Sequence, residues 1–283
     1  MLSNYLKLLR PQQWYKNLVV FLALFFSGSI FQIDLLLTTT LAFISLCLVS
    51  STNYIINDLK DIENDRINPE KKHRPLAQSI ISKTTAILLA IIILIAGLSL
   101  AFYLNLNFFF LVISLFLLTQ LYTFVLKRVV IADVLTISTL FVIRAVSGAL
   151  AINVIISPWL VLCPFFLSLF LSVGKRQAEA EYLKTKAAAT RDVLRYYTNP
   201  FTNSLMILST ALLVISYTFY SFLSPYNFLL YSLPFALYLI FRFYYLITSG
   251  STIARHPEKM IYDKALVMGI IIWLCVTTAL IYL

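Results

Sequence analysis

Asn57-Asp58-Leu59-Lys60-Asp61-Ile62-Glu63-Asn64-Asp65-Arg66-Ile67-Asn68-Pro69-Glu70-Lys71-Lys72-His73-Arg74 separates two long apolar runs, near 36–57 and 84–104. Runs of that length decide the fold class. About 20 apolar residues are what a helix needs to cross the hydrocarbon layer, and lipid accepts only structures that satisfy their own backbone hydrogen bonds. The stretch itself holds five of the chain's twelve acidic residues: Asp58, Asp61, Glu63, Asp65 and Glu70. If the helix continues through it, Asp58, Asp61 and Asp65 fall at i, i+3 and i+7 and project from one face. Like charges at that spacing repel, so folding alone gains nothing from them. Three carboxylates on one patch suit a hard divalent cation, Mg²⁺, carrying a phosphorylated substrate. A turn at Pro69 follows, then Lys71, Lys72 and Arg74, cations of the kind that hold phosphate oxygens. A solvated acidic-basic loop at a membrane border would have the same composition, and spacing alone leaves both readings open.

Working outward, the chain has 283 residues, of which 60% are hydrophobic and only 12% charged. With a mean hydropathy of +0.88 it is a polytopic membrane protein, all-α, and not a soluble domain. The net charge of +10 would suggest nucleic acid in a soluble protein. Here it reflects basic cytoplasmic loops facing anionic lipid and anionic substrates, and no nucleic-acid partner is expected. Residues 1 to 16 mix Lys7, Arg10 and Lys16 with Leu and aromatic residues around Pro11, an interfacial segment leading into the first span. The apolar runs fall near 17–33, 36–57, 84–104, 106–126, 131–152, 157–174, 201–222, 227–248 and 262–283, which predicts nine spans. The first is too long for a cleaved signal peptide and reads as a retained helix.

Loop charge gives an orientation. The connections near 34, 105, 154 and 225 contain no Lys or Arg, whereas the N-terminus and the loops near 58–83, 127–128, 175–195 and 255–264 hold 20 of the 22 basic residues. The N-terminus and both strongly charged loops are therefore expected in the cytoplasm. Two arginines lie within spans. Arg242 is close enough to a cytoplasmic end to snorkel, while Arg144 is deeper and a functional candidate. The loop after the sixth span reads Gly174-Lys175-Arg176-Gln177-Ala178-Glu179-Ala180-Glu181-Tyr182, then Lys184, Lys186, Arg191, Asp192 and Arg195. Its Ala-rich middle predicts a short surface helix, serving either as a second half-site for phosphate and metal or only as a solvated helix. Cys47, Cys163 and Cys275 sit in apolar runs without metal-ligand spacing, and His73 and His256 are isolated. No glycine-rich phosphate loop or nucleophile triad occurs.

Asn57-Asp58-x-x-Asp61-x-x-x-Asp65 at the end of a second span resembles the first aspartate-rich motif of the intramembrane (UbiA-type) prenyltransferase superfamily. The resemblance continues through Lys72-His73-Arg74-Pro75-Leu76-Ala77, Tyr122 with Lys127-Arg128 and Asp133, and Arg144 with Gly148. It implies nine helices in a bundle around a lipid-facing cavity, in one catalytic domain spanning 1–283. The cytoplasmic loops, about 58–83 and 175–200, would cap a Mg²⁺-diphosphate site. Three further passages resemble the branch that transfers phosphoribose to polyprenyl phosphate in cell-wall arabinose synthesis. They are Leu9-Arg10-Pro11-Gln12-Gln13-Trp14-Tyr15-Lys16-Asn17, the Gly174–Glu179 loop, and a tail with Arg242, Tyr245, Gly250, Pro257-Glu258 and Asp263-Lys264.

Carried over from the resemblance, Asp58, Asp61 and Asp65 would hold Mg²⁺ and the diphosphate of phosphoribosyl pyrophosphate (PRPP). Lys72, Arg74 and Lys127 would neutralise phosphate oxygens, and Lys175 and Arg176 would serve a second phosphate region. Lys16, Asn57, Tyr122, Arg144 and Glu179 join the substrate-binding set. The expected place is a bacterial inner membrane, with the site cytoplasmic. One departure bears on the substrate. Aromatic prenyltransferases of this superfamily usually carry Asp-x-x-x-Asp after the sixth span, and here the position reads Lys-Arg-Gln-Ala-Glu-Ala-Glu. That favours two phosphate-bearing substrates over prenyl transfer to a quinone-type aromatic acceptor, which is the alternative. A transporter would place its charges near the midplane in repeated halves, and this chain gathers its acids at one face.

Overall fold

In a computed structural model the chain is described over residues 2–68, 70–183 and 192–283. Pro69, Lys184, Lys186 and Arg191, and with them the turn and surface helix expected there, lie outside those residues. Among the described residues every regular element is a helix: α1 Leu2–Leu9, a 3₁₀ helix Pro11–Val20, α2 Phe21–Phe26, α3 Ile33–Lys60, α4 Ile62–Ile67, α5 Lys83–Leu104, α6 Leu106–Phe124, α7 Ala132–Ala151, α8 Pro158–Leu183, α9 Asn199–Leu223, α10 Leu233–Thr248, α11 Thr252–Arg255 and α12 Lys264–Tyr282, with short 3₁₀ turns between some of them. Eight segments among the described residues are long and apolar enough to cross a membrane, and the protein is a multi-pass membrane protein.

The first expected span, 17–33, differs from the rest. It is not one long α-helix: the 3₁₀ helix Pro11–Val20 runs straight into the six-residue α2, and a turn with Gly28 at φ 73° ends it. Ten residues of 3₁₀ winding is unusual, since its hydrogen bonds are poorer than those of an α-helix. Side chains hold it in place. Trp14 Nε1 donates to Ser51 Oγ at 3.0 Å, and Ser51 Oγ donates to the Leu9 carbonyl at 2.9 Å.

Two compact units make up the chain. In the first (1–126 and 143–156), α3 packs along α5 through small residues. Ala86, Ala90, Gly97 and Ala101 of α5 are buried, as are Ala42, Ser45, Val49 and Thr52 of α3. Lipid offers apolar side chains no hydrophobic reason to leave it, so small residues, which let backbones approach, supply the dispersion contact instead. The approach is close enough for Ser45 Oγ to donate to the Gly97 carbonyl at 2.8 Å. Towards the charged loop the same pair of helices closes over a cluster of Leu8, Ile55, Ile62, Leu76 and Ile81.

Gly148 meets the 3₁₀ segment in this unit. A Cβ there would lie 1.9 Å from the Val20 carbonyl oxygen, whereas one at Gly97 would lie 2.9 Å from Val49 Cγ2, a side chain that can yield. Gly148→Ala is therefore expected to destabilise by about 3 kcal/mol, the upper end of the range typical of overpacking, and Gly97→Ala by less. Thermal unfolding of both variants in detergent checks the order.

In the second unit (127–142 and 157–283), α8 lies along α9, and a core of Phe170, Val173, Met206, Phe243, Leu246 and Ile247 fills the contacts with α10. Gly174 lies against Ile247 and Met206. Trp273 Nε1 donates to Tyr217 Oη at 2.9 Å, and Tyr217 shares a 2.8 Å hydrogen bond with Ser232, so these three side chains satisfy one another.

Candidate active site

The charged stretch folds into a cap on α3. The helix ends at Lys60, and Asp61 leaves helical geometry (φ −100°, ψ 12°) before α4 begins. The single continuous helix expected over these residues is thus two helices with a break at Asp61. The hydrogen-bond ladder survives it: Asp61 N–H donates to the Asn57 carbonyl at 3.0 Å and Asp65 N–H to the Asp61 carbonyl at 2.8 Å. Beyond α4 the chain doubles back. Leu76 and Ala77 are buried, and Arg66 Nε donates to the Ala77 carbonyl at 3.1 Å. That anchor brings Arg74 over the acids.

Arg74 Nη1 donates to Asp58 Oδ1 at 3.0 Å and to Asp65 Oδ2 at 2.6 Å. Arg10 adds a second guanidinium on the same Asp58 oxygen, through a very short Nη2 contact. Arg10 itself sits at φ 53°, ψ 57°, a left-handed conformation that a side chain disfavours, and its guanidinium also lies over the Tyr54 ring at 5.4 Å. Burial pushes the Asp65 carboxyl up and the charge on Asp58 adds to that, against the pull of Arg74 and Lys71. Glu63 is exposed and pairs instead with Arg66 at 3.0 Å.

Among the described residues no three of the His, Cys, Asp and Glu side chains converge closely enough to hold a metal ion. The three-carboxylate patch expected from spacing is here a pair, Asp58 and Asp65, with Asp61 half-buried at the helix break. The pair nonetheless fits a hard cation. Two buried carboxylate oxygens come within hydrogen-bond reach of one cationic nitrogen, and oxygen donors converging on one positive point are what Mg²⁺ takes.

The other residues expected here fall in different places. Asn57 is half-buried beside Asp58, Lys71 and Lys72 are exposed, and Tyr122 is half-buried on α6. Lys16 lies over the Tyr15 ring at 5.9 Å. Arg144 is buried in its span, where Nε donates to Asn17 Oδ1 at 2.8 Å. Asn17 also accepts from Ser50 Oγ at 3.3 Å and donates to Cys47 Sγ at 3.3 Å. Arg144 thus ties the 3₁₀ segment to the bundle, a role its sequence position did not disclose.

The second unit carries its own charged cluster. Asp133, in the first turn of α7, is fully buried and accepts from Arg176 Nε at 2.8 Å and from Tyr197 Oη at 2.5 Å. Arg176 Nη1 reaches Glu179 Oε2 at 2.7 Å, and Lys175 Nζ stands 3.8 Å from Glu179 Oε1. Burial and the Asp133 carboxylate together push the Tyr197 phenol well above its ordinary range. Burial works to raise the Glu258 carboxyl, but its own backbone N–H, Lys175 and His256 hold it below the usual range. Lys127, on a short 3₁₀ turn at Leu126–Arg128, is half-buried.

Arg176 requires a correction. The family resemblance placed its guanidinium at a second phosphate region. It is 2% exposed and bound on both sides by carboxylates. Its neighbour Lys175, also on α8, reaches solvent, at 38% side-chain exposure. Tyr197 and Arg10 were missed as partners of the acids. A left-handed residue places Arg10, and the end of the 3₁₀ helix Asp192–Tyr196 places Tyr197, and neither leaves a periodic signal.

Residues 17–184 match the UbiA prenyltransferase family. The chain is 34% identical over 227 residues to decaprenyl-phosphate phosphoribosyltransferase of Mycolicibacterium smegmatis, covering 78% of this chain and 71% of that protein. It is 32% identical over 227 residues to the enzyme of the same name from Mycobacterium tuberculosis, covering 78% of this chain and 75% of that one. The fold is similar to a solved UbiA homologue from Archaeoglobus fulgidus bound to GPP and Mg²⁺, with a TM-score of 0.74 at 19% identity, over 99% of this chain and 100% of that one. The chain belongs to the UbiA prenyltransferase family, as a membrane transferase with the fold of that family.

Proposed function

We propose that the protein transfers 5-phosphoribose from PRPP to a polyprenyl phosphate, releasing diphosphate, as a step towards cell-wall arabinan precursors. One observation carries the substrate choice. In the region where aromatic prenyltransferases usually carry Asp-x-x-x-Asp, this chain adds cations and has Glu179 and Glu181 for the aspartates, and Lys175 stands 3.8 Å from Glu179 Oε1 with 38% of its side chain exposed. A cation there suits a second phosphate group. The named activity of the mycobacterial relatives supports the same reading.

In the reaction the bond from the anomeric carbon to the diphosphate oxygen breaks, and that oxygen keeps the electron pair. An oxygen of the acceptor phosphate forms the new bond to the same carbon. The acceptor is already ionised at pH 7, so no side chain has to remove a proton from it, and positioning matters more than general-base catalysis. Asp58 and Asp65, with Asp61 beside them, would hold Mg²⁺, which when bound neutralises the charge developing on the diphosphate. Arg74, Lys71 and Lys72 bind diphosphate oxygens from the loop that follows, and Arg10 binds from the N-terminal segment. In the second unit Lys175 binds phosphate, Glu179 orients it, and Arg176, Asp133 and Tyr197 hold the helix end that presents both.

The orientation follows the loop charges, with the N-terminus and both clusters cytoplasmic where PRPP is supplied. The 3₁₀ segment and α2 together extend about 29 Å, at roughly 2.0 and 1.5 Å per residue, enough for a ninth crossing in two pieces. Membranes carrying the protein should label polyprenyl phosphate from ribose-labelled PRPP in a Mg²⁺-dependent manner. Labelling of an aromatic acid from polyprenyl diphosphate, with none from PRPP, would overturn the assignment.

A further inference from the structure

We propose that Arg74 and Arg10 are exchangeable counter-ions, which hold Asp58 and Asp65 until a diphosphate arrives and then pass the carboxylates to the metal while taking phosphate oxygens themselves. The idea rests on the metal–diphosphate reading of this site and adds a rule of binding to it: metal and diphosphate enter together.

The geometry carries it. The Asp58 and Asp65 side chains are 2% and 4% exposed, beneath Arg10 and Arg74 at 15% and 22%. A cation approaching from water meets guanidinium before it meets carboxylate. Arg74 Nη1 bridges both acids, so it stands at the point where their oxygens converge, and a metal bound by both must displace it. Arg10 and Arg74 share Asp58 Oδ1, leaving that oxygen committed twice over.

Charge decides what can drive the exchange. Two carboxylates and two guanidiniums already balance. A divalent cation alone would add two positive charges and leave two guanidiniums, partly buried, without partners, which is costly. A diphosphate alone would compete with the carboxylates for the same arginines and bring like charges together. Arriving as a pair, the two nearly cancel, and every group regains a partner. Guanidinium suits this transfer because its planar fork serves carboxylate and phosphate equally well. The coupling is reciprocal: whatever factor diphosphate adds to metal affinity, metal must add to diphosphate affinity.

The test is retention of ⁵⁴Mn²⁺ and ³²P-labelled inorganic diphosphate by the purified full chain in detergent, each measured with and without the other. For the unaltered protein each label should be retained at least about tenfold better when the other is present, an ordinary size for coupling between sites. In Arg74→Gln, Mn²⁺ retention without diphosphate should rise about tenfold, diphosphate retention should fall, and the enhancement should vanish. Arg10→Gln should move the same way by less, since Arg10 reaches one acid only. Mn²⁺ retained equally with and without diphosphate would overturn the exchange while leaving the metal–diphosphate reading intact. No retention of either label under any condition would overturn both. A folded Arg74→Gln that binds Mn²⁺ alone less well than the unaltered protein would also defeat the exchange. Where thermal unfolding shows that Arg74→Gln does not fold, Arg74→Lys takes its place. It keeps one charge without the fork, so its metal-only retention must exceed that of the unaltered protein or the proposal fails.

Discussion

Arg176→Ala is expected to cost about 3–5 kcal/mol of stability, the size found when one partner of a buried ion pair is removed. The loss comes from what remains. Asp133 is fully buried, and without Arg176 its carboxylate keeps, among the described residues, the Tyr197 hydroxyl at 2.5 Å. Glu179 loses a 2.7 Å partner but is partly exposed and can turn to water, so its share is smaller. Removing the pair as a pair should behave differently. Asp133→Leu combined with Arg176→Met leaves no uncompensated charge and should recover much of the stability, because apolar replacements of buried pairs are often neutral. Thermal unfolding of the two single variants and the double variant measures this as a cycle. A double variant no better than either single one would show that the cluster's value lies in its shape and not in its charge. The result also fixes how kinetics are read: lost turnover in Arg176→Ala reports a disturbed helix end. Lys175→Ala is the variant that reports phosphate binding, with about a tenfold to hundredfold weaker use of PRPP and unchanged unfolding, as for one charge-assisted contact of 1.5–3 kcal/mol.

Asp58→Ala and Asp65→Ala are each expected to lower turnover by about a hundredfold to a thousandfold, the scale on which losing one preorganised electrostatic group acts. Glu63→Ala should keep most of the activity. All three acids lie within eight residues, so net charge alone cannot separate them, but their partners can. Asp58 and Asp65 are buried and meet at Arg74 Nη1, whereas Glu63 is exposed and pairs with Arg66. Steady-state assays over a range of Mg²⁺ concentrations supply the readout, and excess metal should rescue neither Ala variant fully. Equal losses in Glu63→Ala and Asp65→Ala would remove the basis for separating ligand from bystander.

The apolar runs were legible because lipid enforces them. A span is a long stretch without charge, and eight of the nine expected runs coincide with long apolar helical segments, although the helix expected to end near 174 continues to Leu183. The ninth, 17–33, was misread because hydropathy measures transfer into lipid and not backbone winding. The 3₁₀ geometry over Pro11–Val20 is held by Trp14 on Ser51 and by Asn17 on Arg144, contacts between residues 37 and 127 positions apart. Asp58 and Asp65 stood out for the opposite reason. Acids are so rare in this chain that their spacing was conspicuous, and helical periodicity carried the argument as far as Asp61, where the helix breaks.

By itself, then, the sequence determined the all-helical membrane class, the location of the charged loops, the acids worth testing and the family resemblance. Each of these depends on composition or on spacing within about a dozen residues. Tertiary structure decided which cation each acid keeps. Arg10 reaches Asp58 across 48 positions and Arg176 reaches Asp133 across 43, one at the edge of solvent and the other sealed inside. In the sequence each arginine stands more than 40 positions from the aspartate it keeps. What separates a cation able to exchange its partner from one locked in place is burial, because removing water raises the cost of leaving a charge unpaired. Burial is set by the packing of segments far apart in the chain.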